Sequence, residues 1–462
     1  MPSFEINSLD KNSHIHFIGI GGISMSGLAH IAISDGYKVT GSDRTKTPIT
    51  ENLEKEGATI YEGHDAKNVK GADLVVHTAA VKADNPEMQE AVKNNIQLID
   101  RAEFLGAIMK NYKNAVCVAG THGKTTTTSM LAHALIHAET DPTISVGGEL
   151  NLIGGNIRCG KSDMFVTEAC EYTNSFLKFH PTIALITNIE EDHLDFFTGI
   201  EMIRESFRTY AELTRGIGSV VVYGEDENIK IALAGSDLDI TTYGMNDTND
   251  YYPQNIVYHA GYPSFDIYHH NEKVAHASLN VTGDHNILNT LATVAVCALL
   301  GIDAQTAVDG IQTFKGTHRR FEKKGMINDA VIIDDYAHHP TEIKLTLQAS
   351  KAFSPKRIRC VFQPHTYSRT RTLWNEFVSA FDDADELILT HIYAAREKFD
   401  GVTSPERLAN EIKERGIDAK YMEEFSDIEK YIKETAQPGD IIFTMGAGDV
   451  TEISDILFKY YS

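Results

Sequence analysis

The chain has 462 residues, 42% of them hydrophobic and 23% charged, and its 65 acidic and 42 basic side chains give a net charge of −23. This length exceeds what one hydrophobic core serves and predicts about three domains. The acidity argues against a general nucleic-acid binder or a binder of acidic membranes. A phosphate ligand stays open, because backbone N–H groups in a loop and a single lysine can hold one. The five cysteines, Cys117, Cys159, Cys170, Cys297 and Cys360, form no CxxC pair, and an odd count in a long chain fits a reducing compartment. Met1–Ser13 has no basic segment followed by an apolar one, and no run approaches ~18 apolar residues. The expectation is a cytoplasmic protein, monomer or homodimer, with neither a membrane nor a nucleic acid as partner.

In chain order, His14–Ile20 reads as a short apolar strand, broken by Gly21-Gly22 and followed by a helical pattern to about Asp35. Strand-like runs follow at Lys38–Gly41, Ala58–Tyr61, Leu74–Thr78 and Ile96–Leu98, separated by helix-length segments. Such alternation predicts a parallel, doubly wound α/β sheet. A second series starts at Ala115–Ala119, with a helix from Lys124 to about Ala138 and strands at Met164–Glu168, Ile183–Ile189 and Val220–Tyr223. Residues 236–277 read as small antiparallel strands, and Leu288–Leu300 as an apolar helix. A third series follows Arg319-Arg320-Phe321-Glu322: strands at Val331–Asp334, Ile358–Phe362, Glu386–Thr390 and Ile441–Met445, and a helix at Thr341–Ala352. Ser404-Pro405 supplies an N-cap and a first-turn proline for another helix. The expected domains are 1–107, 108–322 and 323–462.

The run Gly120-Thr121-His122-Gly123-Lys124-Thr125-Thr126 joins a buried strand to a helix. Glycines let the backbone wrap a phosphate, Lys124 neutralises it, and the Thr125 hydroxyl suits Mg2+. The full GxxxxGK[ST] spacing is not met, since Val118 stands at the first glycine position. Glu168 ends one strand and His193 follows another. Parallel strands deliver their C-terminal ends to one crevice, so Thr125, Glu168 and His193 form a candidate metal set. Gly19-Ile20-Gly21-Gly22-Ile23-Ser24 approximates GxGxxG, and Asp43 follows at the distance suited to a ribose hydroxyl. That loop suits a dinucleotide or any nucleotide diphosphate. Two polar clusters follow successive strands in the third series: Asp334-Asp335-Tyr336-Ala337-His338-His339-Pro340 and Gln363-Pro364-His365-Thr366-Tyr367-Ser368-Arg369.

Together these runs resemble the Mur ligase family of peptidoglycan synthesis. So do Met25-Ser26-Gly27, Thr187-Asn188-Ile189, Asp192-His193-Leu194-Asp195, Gly283-Asp284-His285-Asn286-Ile287-Leu288-Asn289 and Gly446-Ala447-Gly448-Asp449. The likeness covers nearly the whole chain. It implies a Rossmann-like UDP-sugar domain, a P-loop-type central ATPase and a Rossmann-like amino-acid domain at the C-terminal end. It implies that ATP phosphorylates the carboxylate of UDP-N-acetylmuramate and that L-alanine attacks the acyl phosphate, with ATP and Mg2+ as cofactors. The Gln363–Thr370 run favours the alanine-adding branch over the branch that attaches a recycled tripeptide to the same sugar.

Carried over residue by residue, the likeness gives the phosphates to Gly120, Thr121, His122, Gly123, Lys124, Thr125 and Thr126. Magnesium falls to Thr125, Glu168 and His193, and the rest of ATP to Asn286, Asn289, Arg320 and Asp335. The uridine diphosphate end falls to Gly21, Gly22, Ser24 and Asp43, and alanine to Tyr336, His339, His365 and Arg369. Lys124, Glu168, His193, His339 and Arg369 are the expected catalytic group. The chain departs from the family pattern in four places, the first being Ser24, which stands at a glycine position. Glu168-Ala169-Cys170-Glu171-Tyr172-Thr173 stands where Glu-Ala-Asp-Glu-Ser-Asp is usual, which leaves the role of Glu171 open and Cys170 either packing or reactive. Thr366 stands where Arg or Lys is frequent. Arg208 is the basic residue nearest the place where sister ligases carry a carbamylated lysine. The competing classes are a nicotinamide-dependent oxidoreductase, supported only by residues 19–24 and Asp43, and an ATP-binding regulator without chemistry.

Overall fold

The computed structural model describes residues 6, 9–10, 12–78, 81–194, 196–259, 261–395 and 397–459. Asp195 of the Asp192–Asp195 motif lies outside them. The described chain builds three α/β layers around three sheets.

The first sheet holds β1 (His14–Ile18), β2 (Lys38–Asp43), β3 (Thr59–Glu62), β4 (Leu74–His77) and β5 (Gln97–Asp100) in the order β3-β2-β1-β4-β5. All its pairings are parallel. β1 is buried along its whole length, its two histidines, His14 and His16, included. Chain order reverses between β1 and β4, so the crevice expected for a ligand opens at the C-terminal end of β1, beside Gly19–Gly22.

The second sheet holds β6 (Asn114–Ala119), β7 (Thr143–Leu150), β8 (Gly155–Arg158), β9 (Met164–Glu168), β10 (Ile183–Ile186), β11 (Ser219–Tyr223), β12 (Ile240–Tyr243), β13 (Tyr251–His259), β14 (Tyr262–His269) and β15 (Glu272–Ser278). Their order is β15-β14-β13-β12-β11-β10-β6-β9-β7-β8. β6 is central, with β9 and β10 parallel on either side; Val118 pairs with Glu168 and Ala119 with Ile186. That register sets the glycine loop, Glu168 and Thr187-Asn188 at one end of the sheet. The antiparallel strands expected within 236–277 are β13 to β15, and they extend this same sheet, whereas β12 joins it in parallel. The β7–β8 hairpin has no counterpart in the sequence reading. The strand expected over Ile183–Ile189 stops at Ile186, because Thr187 and Asn188 turn to bond the glycine loop.

The third sheet holds β16 (Glu322–Ile327), β17 (Ala330–Asp335), β18 (Arg357–Phe362), β19 (Glu386–Leu389), β20 (Asp418–Tyr421) and β21 (Asp440–Met445), ordered β16-β17-β21-β18-β19-β20. Only the edge strand β16 pairs antiparallel. Met445 lies beside both Asp335 and Phe362, so the two polar clusters leave the sheet at the same end. Ser404 caps its helix through the Arg407 N–H, with Pro405 in the first turn as expected. Among the described residues no helix is long and apolar enough to cross a membrane.

Candidate active site

The phosphate loop is shaped by two glycines. Gly120 has φ +136°, and a Cβ there would stand 2.0 Å from Thr187 Oγ1. Gly123 is left-handed at φ +82° and starts the helix Lys124–His137. Asn188 braces the turn: its carbonyl accepts from Thr121 N–H at 3.1 Å, and its side-chain oxygen accepts from His122 N–H at 2.8 Å. Thr187 Oγ1 donates to the His122 carbonyl at 2.6 Å. Lys124 Nζ donates to the carbonyls of Gly120 and Thr121 and to Glu171, whose Oε2 is 3.1 Å away. Burial is the largest influence and opposes the lysine's charge, but the surrounding negative groups, Glu171 foremost, together hold the pKa above the usual range.

Of the three candidate metal residues, two are in direct contact. Thr125 Oγ1 donates to Glu168 Oε2 at 3.0 Å, and Gly147 N–H donates to Glu168 Oε1 at 2.6 Å. Burial pushes the Glu168 carboxyl above its ordinary range. His193 is set against Glu171 instead, with Nε2 3.7 Å from Glu171 Oε1, and its ring packs on Tyr172 at 4.7 Å between centroids. Glu171, almost fully buried, therefore bridges Lys124 and His193. The hard oxygen pair Thr125–Glu168 fits magnesium. Burial pushes the Cys170 thiol, two residues beyond Glu168, up to about 11.

The residues expected to hold the rest of ATP line one cavity of about 660 Å³ between the second and third sheets. Asn289 Oδ1 accepts from Thr127 at 3.1 Å, and Asn289 Nδ2 donates to Asn286 Oδ1 at 3.1 Å. Arg320 lies over the Tyr336 ring at 5.2 Å and 3.4 Å from Glu342. Asp335 accepts from the N–H groups of Phe321 and Ala337 at 2.8 and 2.7 Å; burial raises its pKa to about 6 against the pull of Arg320. Tyr223, Tyr243 and Phe314 give the cavity an aromatic wall.

The alanine candidates do not line this cavity but border it, Tyr336 under Arg320 and His339 against His122. Arg369 donates to Asp192 Oδ1 through Nε and Nη2 at 3.2 and 2.9 Å, across the joint between the second and third domains. Its Nη1 lies 2.9 Å from His365 Nδ1. Despite burial, Asp192 is held well below the carboxylate range by Arg369 and His193. His365 is lowered to about 4 by burial and by Arg369. Tyr336 contacts the His338 ring edge-on at 5.4 Å, and His338 faces His365 at 5.7 Å. His339 caps the helix Pro340–Ser350 and packs on His122 at 4.7 Å.

The first-domain set is separate. Asp43 Oδ2 accepts from Gly21 N–H at 2.8 Å and Oδ1 from Arg44 N–H at 2.7 Å. Gly22 caps the helix Ile23–Ser34 without a side-chain bond, and Gly22 and Ser24 are exposed.

Comparison with known proteins bears directly on this arrangement. Residues 14–113 match the model of the Mur ligase family, catalytic domain, residues 118–297 the Mur ligase middle domain, and residues 319–448 the Mur ligase glutamate ligase domain. The chain belongs to the Mur ligase family. A UDP-N-acetylmuramate–L-alanine ligase of Clostridium botulinum is 50% identical over 97% of this Mur ligase and 98% of the relative. The protein of that name from Caldanaerobacter subterraneus is 51% identical over 97% of each. Among solved structures, the UDP-N-acetylmuramate–alanine ligase of Thermotoga maritima aligns with a TM-score of 0.79 at 31% identity, over 97% of this ligase and 99% of that chain. A murein peptide ligase from Psychrobacter arcticus aligns at 0.70 and 26%, over 97% and 98%.

Several residues of this Mur ligase's mouth had no role in the sequence reading. Glu171, Glu190, Asp192 and Glu342 carry its ion pairs, and Gly147 leaves room for Glu168, since a Cβ there would stand 2.6 Å from Oε2. Arg208 belongs elsewhere: its Nη1 donates to the carbonyls of Ala232 and Ala234 at 3.1 and 3.0 Å.

Proposed function

We propose that this Mur ligase joins L-alanine to the carboxylate of UDP-N-acetylmuramate, converting ATP to ADP and phosphate through an acyl phosphate. The reading is carried by full-length likeness, at about half identity, to relatives that bear this activity in their names.

The chemistry follows from the residues at the mouth. A carboxylate is a poor acyl donor, and phosphorylation gives it a good leaving group. ATP and carboxylate repel each other, so cations must be placed between them. Lys124 turns from Gly120, Thr121 and Glu171 to the β- and γ-phosphates, with Glu171 holding it near the reacting oxygens. The Thr125–Glu168 pair would hold Mg2+, with His193 reaching it from its place against Glu171, and the ion would supply positive charge to the transferring phosphoryl group. Asn286, Asn289, Arg320 and Asp335 hold the nucleotide in the cavity. Gly21, Gly22, Ser24 and Asp43 hold the uridine diphosphate end. The sugar's carboxylate attacks the γ-phosphorus and ADP leaves. The alanine amine then attacks the acyl carbon and phosphate leaves. Tyr336, His339 and His365 shape the alanine pocket, and the Arg369 fork exchanges Asp192 for the alanine carboxylate. The third domain excludes water, which protects the acyl phosphate.

The test is ADP formation with ATP, Mg2+, UDP-N-acetylmuramate and one acceptor at a time. Turnover is expected only with sugar and acceptor together, with L-alanine ahead of glycine by about tenfold or more for the missing methyl. Turnover with a tripeptide and none with L-alanine would transfer the reading to peptide ligation. Reduction of a nicotinamide cofactor without ADP would refute it.

A further inference from the structure

A second group of metal-type donors lies at the joint between the middle and third domains. It consists of His122 on the phosphate loop, Glu190 just beyond β10 and His339 at the start of the helix Pro340–Ser350. One ligand atom from each lies within 4.8 Å of the others. None of the three belongs to the Thr125–Glu168 pair or to the contacts of His193.

The His122 ring carries the main observation. Its Nε2 is buried and has no hydrogen-bond partner among the described residues. It faces Glu190 Oε2 at 3.5 Å. A tetrahedral cation with bonds of about 2.0 Å has ligand–ligand edges of about 3.3 Å, so this pair is already spaced as two of its ligands. The opposite nitrogen, Nδ1, lies 3.2 Å from Glu342 Oε1. His339 has the matching arrangement: Nε2 lies 3.2 Å from the Glu191 carbonyl, while Nδ1 makes only a long 3.3 Å contact with Thr341 N–H. Histidines that bind metals characteristically donate their second ring N–H to a carboxylate or a backbone carbonyl. In that tautomer Nε2 of His122 carries a free lone pair, and the Nδ1 lone pair of His339 is engaged only by the long helix-cap contact from Thr341 N–H.

The surroundings call for positive charge. Burial opposes protonation of His122, yet Glu190 and Glu342 hold its pKa up to about 9. A proton satisfies one imidazole and one carboxylate, whereas a divalent ion also engages the second imidazole, whose protonation burial and His122 oppose. Two nitrogens and one carboxylate suit zinc and its d-block neighbours, whereas magnesium prefers oxygen. His122 and Glu190 also line the nucleotide cavity, so a fourth position opens towards it.

We propose that His122, Glu190 and His339 form a site for a divalent d-block cation of the zinc class, which clasps the third domain to the phosphate loop. The site shares His122 and His339 with the phosphate loop and alanine pocket of the ligase reading, but zinc binding to the nucleotide-free protein is read out without turnover, so its failure and the failure of that reading are distinguishable.

The test is equilibrium dialysis of the nucleotide-free, full-length protein against zinc chloride, with X-ray absorption at the zinc edge on the wild-type complex. The expected result is one zinc per chain at micromolar free zinc, in a nitrogen and oxygen shell that includes imidazole. Glu190→Gln and His339→Ala should each weaken binding by about tenfold or more. Glu168→Gln should leave zinc affinity unchanged, since it alters the other pair. Glu190→Gln is nearly isosteric at a partly exposed position, and a metal-free melting curve matching the wild type establishes that it folds. The proposal is overturned by failure to retain zinc at micromolar concentration, by a sulfur-containing shell, or by zinc binding that Glu168→Gln abolishes and Glu190→Gln leaves intact.

Discussion

The molecule contains two glycine turns of one design, each running from a buried parallel strand into a helix. At Gly19–Ser24 the turn is open: Gly22 and Ser24 are exposed, and Asp43 accepts from Gly21 N–H. At Gly120–Thr125 the turn is sealed, with Lys124 tied to Glu171, Thr125 tied to Glu168, and His122 set between Glu190 and Glu342. Backbone N–H groups at a helix N-terminus suffice to hold a static diphosphate. A site where a phosphoryl group moves also needs placed cations and exclusion of water. The same backbone device is thus suited to holding or to reaction according to the side chains around it.

Substitutions on the two turns can break or sharpen that contrast. The largest effect is expected from Lys124→Ala. Its turnover should fall by about 10³-fold or more while affinity for UDP-N-acetylmuramate, measured by calorimetry, stays unchanged. A loss of less than tenfold would remove the lysine from the reacting centre.

Asp192→Asn comes next and asks whether the third domain seals the second turn. It leaves a largely buried Arg369 without its ion partner, and the expected loss is about 2–3 kcal/mol of unfolding free energy at neutral pH. The native pKa of Asp192 is depressed, so its contribution is present above the unfolded aspartate value of about 3.9 and is lost as pH falls below it. Wild type and variant should therefore differ at pH 7 and converge only in strong acid. Equal melting curves at pH 7 would mean that the clasp does not stabilise the joint.

The smallest effect is expected from Asp43→Ala. The KM for the nucleotide sugar should rise about tenfold, with kcat and the KM for ATP unchanged. A parallel rise in the KM for ATP would show that the two turns are not independent.

How much of this was visible in the sequence depended on distance along the chain. The strand–glycine–helix signals at 14–24 and 114–126 and the strand ending in Glu168 are local, and the structure has them close to where the residues predict. The β7–β8 hairpin escaped because Gly147, Gly148 and Gly154 interrupt any alternation of apolar residues. β10 was read too long because Thr187 and Asn188 bond the phosphate loop, which nothing local announces. Glu171 could not be assigned, since its neighbours depart from the family pattern and Lys124 lies 47 residues away. The ion pairs of the joint, Asp192 with Arg369 and His122 with Glu342, span 177 and 220 residues, and only the docked domains reveal them.

The central claim is that the sugar's own carboxylate takes the γ-phosphoryl group at the sealed turn. UDP-N-acetylmuramate labelled with ¹⁸O in its carboxylate, turned over with ATP and L-alanine, tests this most directly by mass spectrometry of the released phosphate. The account predicts transfer of one carboxylate oxygen to each phosphate formed. Unlabelled phosphate, with all the ¹⁸O retained in product or lost to water, would contradict it.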